Sequence, residues 1–85
     1  MKLEETGLTF EDIKEKVNKY MIETYERMDF LAESAKDQYI YNEKGEKYLD
    51  FYAGIAVNSA GSCNEKVVKA VVDQAQTLIH TFNYP

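Results

Sequence analysis

Three features of this 85-residue chain predict an α+β fold: helical spacing of apolar residues near each end, and an aromatic, β-branched hairpin between them. The predicted order is an N-terminal helix, a small antiparallel β-meander of two to three strands, an apolar loop and a C-terminal helix. Residues 1–8 carry no pattern and read as a flexible arm, leaving residues 9–85 as a single small α+β segment.

The first helix is predicted over about 10–25. Thr9 is a suitable N-cap, and Glu11 and Asp12 place negative charge at the positive end of the helix dipole. Phe10, Ile13, Val17, Tyr20, Met21 and Thr24 recur at helical spacing and make one face apolar. Phe30 to Ser34 could form a first short strand. Gln38-Tyr39-Ile40-Tyr41 is a second, and Lys47 to Phe51 is its return. Between these two, Asn42-Glu43-Lys44-Gly45 suits a type I turn with Gly45 in the left-handed position. Alternation puts Ile40 opposite in face to Tyr39 and Tyr41, and Leu49 with Phe51 opposite to Tyr48 and Asp50.

Residues 53–63 are small, apolar and uncharged, with Gly54 and Gly61 near the two ends. A solvated loop is normally polar, so this one is expected to be buried, its backbone close to another surface or a ligand. Asn64 then caps a helix predicted over about 65–80, whose seam is Val67, Val68, Val71, Val72, Ala75, Leu78 and Ile79. Valine is a modest helix former, so this helix depends on packing.

Composition narrows the function. A net charge of −5 with scattered basic residues argues against nucleic-acid binding. The apolar run Phe51 to Val57 is far too short to span a bilayer. One cysteine, Cys63, and one histidine, His80, exclude an intramolecular disulfide and a Cys/His zinc cluster. A lone cysteine behind an acidic N-terminus without a signal sequence fits the cytoplasm. Cys63 and His80 could form a thiolate pair if the fold joined them. The simpler reading is a small buried thiol and a helix-end histidine. Asp50, at a strand end beside apolar neighbours, is expected to order the loop that follows it and not to act in acid–base chemistry. No phosphate-cradling glycine motif is present.

The run from Tyr39 to Phe51 and on through Ala53-Gly54-Ile55-Ala56-Val57-Asn58-Ser59-Ala60-Gly61, the valine-rich helix and Leu78-Ile79-His80-Thr81 resembles class III, pyridoxal phosphate-dependent aminotransferases. The acetylornithine branch is the most similar. The resemblance covers roughly residues 20–85 in unbroken order. Two departures leave the substrate open: the family's Gly-His-Cys-His-Pro stands here as Gly61-Ser62-Cys63-Asn64-Glu65, and its Ser-Asn-Leu as Phe82-Asn83-Tyr84.

The resemblance implies an N-terminal piece of the small domain of a fold-type I enzyme. Such an enzyme moves an amino group between an amino acid or ω-amine donor and a 2-oxo acid. Its cofactor is pyridoxal 5′-phosphate, and its partners are the remainder of the aminotransferase chain and a second subunit. The aldimine lysine, the acid at the pyridinium nitrogen and the phosphate-binding turn have no counterpart in this chain. No cofactor and no catalytic residue are therefore expected for the piece alone. Gly54, Ile55 and Asn58, with Asn83 and Tyr84, fall where similar enzymes line the substrate pocket. The alternative is a self-associating α+β binding module that uses its apolar loop and tail.

Overall fold

The computed structural model describes residues 1–84. Its elements run α1 (Leu3–Thr6), α2 (Phe10–Tyr20), β1 (Ala32–Lys36), β2 (Tyr39–Asn42), β3 (Lys47–Leu49), α3 (Ala53–Ala56) and α4 (Glu65–Thr77). This is the predicted α+β order, with a three-stranded antiparallel meander at its centre. Residues 1–8, expected to be patternless, contain the single turn α1, which ends at Gly7 with φ +70°.

Local chemistry fixes each long helix at its start. Thr9 Oγ1 accepts the Asp12 N–H, and the Asp12 carboxylate accepts the Thr9 N–H in return, closing a capping box. The backbone and side-chain hydrogen bonds from Thr9 hold the Asp12 carboxyl below its ordinary range. Asn64 Oδ1 accepts from the N–H groups of Lys66 and Val67 at the start of α4.

Both helices are shorter than their apolar spacing predicts. In α2 the chain turns extended at Met21, just ahead of the poor helix formers Ile22 and Thr24. In α4, Leu78 is extended (φ −164°) and the Gln74 side chain donates to its carbonyl, so the helix stops on a side-chain hydrogen bond.

The β2–β3 hairpin matches its prediction closely. Tyr39 pairs with Leu49, Ile40 with Tyr48 and Tyr41 with Lys47. The turn closes by Gly45 N–H to Asn42 O, with Gly45 at φ +79°. Asn42, buried within it, accepts from the N–H groups of Lys44 and Glu46. The first strand lies two residues later than predicted, because Phe30 is used differently: its ring meets Tyr48 edge-on at 5.0 Å. An irregularity between Ala32 and Ser34 sets the β1 register. On the other face the Lys47 ammonium stands 3.8 Å from the centre of the Tyr39 ring. Lys14 of α2 bridges to Asp29 at 2.9 Å, tying the helix to the segment that leads into the sheet.

Packing stops there. Among the described residues no apolar side chain is buried, and neither long helix lays an extended face on the sheet. The chain exposes 7841 Å², whereas a compact monomer of its mass would expose roughly 5,200 Å². Its radius of gyration is 16.4 Å, against about 12 Å for a compact domain of this length. The valines of α4 are all about half exposed or more, and Ile79 is 86% exposed.

The Asp12 linkage has a defined sign. A depressed carboxyl contributes stability that is complete above its ordinary value of 3.8 and is lost as pH falls through the lower folded value. Circular dichroism should therefore show α2 weakening in that acid window, with the step absent in Asp12→Ala. Thr9→Ala should cost the helix about 1 kcal/mol at neutral pH.

Candidate functional site

The loop that carries Gly54, Ile55 and Asn58 leaves the sheet at Asp50 and returns to it at Ser62. Both ends are held by the same two-residue turn between β1 and β2. Asp37 and Ser62 exchange backbone hydrogen bonds, 2.9 Å from Asp37 N–H and 2.8 Å from Ser62 N–H. The Asp50 N–H donates to the Gln38 carbonyl at 2.8 Å. Residues 51–61 thus form an Ω-shaped excursion with its base pinned. The Lys36 ammonium adds a hydrogen bond to the Cys63 carbonyl at 3.1 Å.

Asp50 orders the start of the loop, as its position suggested. One carboxylate oxygen accepts the N–H groups of both Tyr52 and Ala53 at 2.9 Å. The chain then winds the wrong way: Ala53, Gly54, Ile55 and Ala56 all have positive φ, between 51° and 61°. Tyr52 and Val57, on either side, are in the right-handed region. Left-handed winding costs about 1–2 kcal/mol for each residue with a Cβ. Ala53, Ile55 and Ala56 together carry roughly 3–6 kcal/mol on that scale. Alanine and glycine keep the crowding small, whereas β-branched Ile55 is a true outlier. Two hydrogen bonds to a carboxylate, at about 1.5–3 kcal/mol each, are of the right size to offset it. Within the turn, Ala56 N–H donates to Tyr52 O and Asn58 N–H to Ala53 O, both at 2.9 Å.

At the far end Gly61 has φ +82°, and a Cβ there would sit 3.2 Å from the Asp37 Cα. The glycine is needed twice over, for its backbone angle and for the close approach of the β1–β2 turn.

The loop is not buried as its composition predicts. Ile55 is 82% exposed and Phe51 91% exposed, because no other element of the described chain lies over them. Cys63 is likewise exposed and not a buried thiol. It precedes α4, and His80 follows it. Thirteen helical residues, about 20 Å, separate the two, so the fold does not join them as a thiolate pair. No cluster of three or more metal-ligating side chains occurs among the described residues. No helix among them is long and apolar enough to cross a membrane.

Asn83 and Tyr84 lie beyond α4 in the exposed tail, where the Tyr84 ring meets Phe82 at 6.1 Å. The structure therefore brings Gly54, Ile55 and Asn58 together on one pinned loop and leaves Asn83 and Tyr84 at the other end of a helix. The anchoring roles of Asp37, Gln38 and Ser62 are not legible in the sequence, where Gln38 reads as the first residue of a strand. Their signal is faint: a short polar stretch, Lys36-Asp37-Gln38, ahead of Tyr39, and a glycine just ahead of Ser62.

The family model for aminotransferase class-III matches residues 20–84. The acetylornithine aminotransferase of Methanocaldococcus jannaschii is 48% identical over 65 residues, which are 76% of this chain and 16% of that protein. The mitochondrial acetylornithine aminotransferase of Neurospora crassa is 44% identical over 64 residues, 75% of this chain and 14% of that one. The chain thus spans about a sixth of the length of these curated relatives. Among solved structures, an ornithine aminotransferase from Toxoplasma gondii, with partial occupancy of pyridoxal phosphate at its active site, superposes with a TM-score of 0.80. It is 28% identical, over 94% of this chain and 20% of that one. The acetylornithine aminotransferase from Elizabethkingia anophelis gives a TM-score of 0.81 at 24% identity, covering 92% and 21%.

The pinned base makes a direct prediction. Gly61→Ala should destabilise the chain by more than about 1 kcal/mol, since a Cβ there is strained at φ +82° and also tight against the Asp37 backbone. Denaturant unfolding gives the size of the loss. Amide exchange at Ser62 should show that the Asp37 pairing goes first.

Proposed function

The chain belongs to the class III aminotransferase family, and we propose that it forms one wall of the substrate pocket within a longer aminotransferase polypeptide. In that reading Gly54, Ile55 and Asn58 face the substrate from the pinned loop, and Asn83 and Tyr84 join them once the tail is packed. The reaction moves an amino group from an amino acid or ω-amine donor to a 2-oxo acid. The remainder of the polypeptide and a second subunit are the partners, in the small-domain setting that the family resemblance implies, and the compartment is the cytoplasm. The observation that carries this reading is the ordered match over residues 20–84. The strained, exposed Ile55 turn fits it, because strain of this kind concentrates at functional sites.

The described residues do not by themselves fit pyridoxal 5′-phosphate, the cofactor proposed for the full-length enzyme, which supplies the electron sink for such chemistry. An aldimine lysine needs a lowered pKa in a desolvated pocket. Every lysine here except Lys14 is exposed. Lys14 is moved the opposite way, raised by hydrogen bonds to Glu11 and then Asp29. The chain's own contribution is confined to shape: a fixed loop that presents Ile55, with backbone groups and Asn58 beside it.

The exposed apolar faces favour a second reading, a module that associates with copies of itself. Sedimentation across concentration separates it: a folded species that stays monomeric at every concentration removes it.

Two measurements test the main reading. The 85-residue chain mixed with pyridoxal phosphate should give neither a saturable aldimine absorbance nor turnover. Grafted in place of the matching segment of the Methanocaldococcus jannaschii enzyme, it should support transamination. Ile55→Ala in that graft should change the ratio of kcat/KM between donors of different size by about tenfold. A folded, cofactor-loaded graft with no turnover, or with unchanged donor preference in Ile55→Ala, would contradict the assignment.

A further inference from the structure

The winding of residues 53–56 is opposed by their own sterics, and among the described residues nothing packs over them. Its shape must therefore come from below, through the backbone. Asp50 is the group placed to impose it. Its own N–H is fixed to the sheet through Gln38 O, so the carboxylate stands on a rigid base. Its Oδ1 holds the N–H groups of Tyr52 and Ala53, the two residues across which the chain passes from right-handed to left-handed. That oxygen already has two donors and the residue lies beneath the loop, which suits a scaffold and not a proton carrier.

We propose that Asp50 is a positioning residue for the amino donor. It sets the direction in which Ile55 is presented, and through Ile55 the width of the pocket. This rests on the pocket-wall reading above. The role requires an acceptor at Oδ1, whose two hydrogen bonds the negative charge strengthens. Asp50→Asn keeps the acceptor in place, whereas Asp50→Ala removes it.

Nuclear magnetic resonance on the full chain reads the turn directly. A positive φ brings each residue's N–H close to its own Hα and gives a strong intraresidue NOE. Ala53, Ile55 and Ala56 should show it in the wild type and in Asp50→Asn, and lose it in Asp50→Ala. Absence in the wild type, or persistence in Asp50→Ala, overturns the proposal.

In the active graft, Asp50→Ala should raise KM for the donor about tenfold with kcat nearly unchanged, and Asp50→Asn should restore it. Ile55→Ala separates the two ideas. If it alters donor preference while Asp50→Ala leaves KM unchanged, the positioning role fails and the pocket wall stands. If it alters nothing, the pocket wall fails, and the positioning role with it.

Discussion

The short turn between β1 and β2 holds the rest of the site in place. Asp37 exchanges two backbone hydrogen bonds with Ser62, and Gln38 accepts one from Asp50. Those contacts bring the two ends of an apolar loop to adjacent residues of one rigid hairpin. Closing a loop costs entropy that grows only slowly with its length. A few hydrogen bonds at the base are then enough to define the excursion. Gly61 permits the approach, because a Cβ there would sit only 3.2 Å from the Asp37 Cα. Asp50, fixed on the other side, carries the definition onward into the left-handed turn.

A second constraint acts on the whole chain. The three-stranded sheet and its capped helices are locally complete, yet the apolar surface they organise has no cover. The valine seam of α4, the loop around Ile55 and the tail at Phe82 and Tyr84 are all exposed. Such surface is worth about 25 cal/mol per Å² when removed from water. The excess over a compact monomer, on the order of 2,600 Å², is larger than one partner's share of an ordinary protein interface. In the function proposed above, this surface is a wall and a packing face within a longer polypeptide.

Residues whose role is local were legible in the sequence. Thr9 and Asn64 cap helices because their side chains reach amides two or three residues on. Gly45 takes the left-handed position of its turn, and Asp50 orders the loop after it. Residues whose role depends on distant partners were not. The ends of α2 and α4 are an exception, local yet not legible from apolar spacing, which runs on past the stops set by propensity and by the Gln74 side chain. Phe30 reads as a strand residue, but its ring is taken up by Tyr48 across the sheet. The Asp37–Ser62 pairing joins residues far apart in sequence with no side-chain signature. The apolar composition of the loop reads as burial, yet the loop is exposed, because no element of the described chain lies over it.

Hydrogen exchange at three backbone amides, those of Asp37, Asp50 and Ser62, tests the pinned loop most directly. Each donates across the base of the loop. If the β1–β2 turn holds the loop, all three are protected together, at the level of the Tyr39–Asn42 strand beside them. Exchange of these three at the rate of an unstructured chain, while the strand amides stay protected, would show that the loop is not anchored to the sheet.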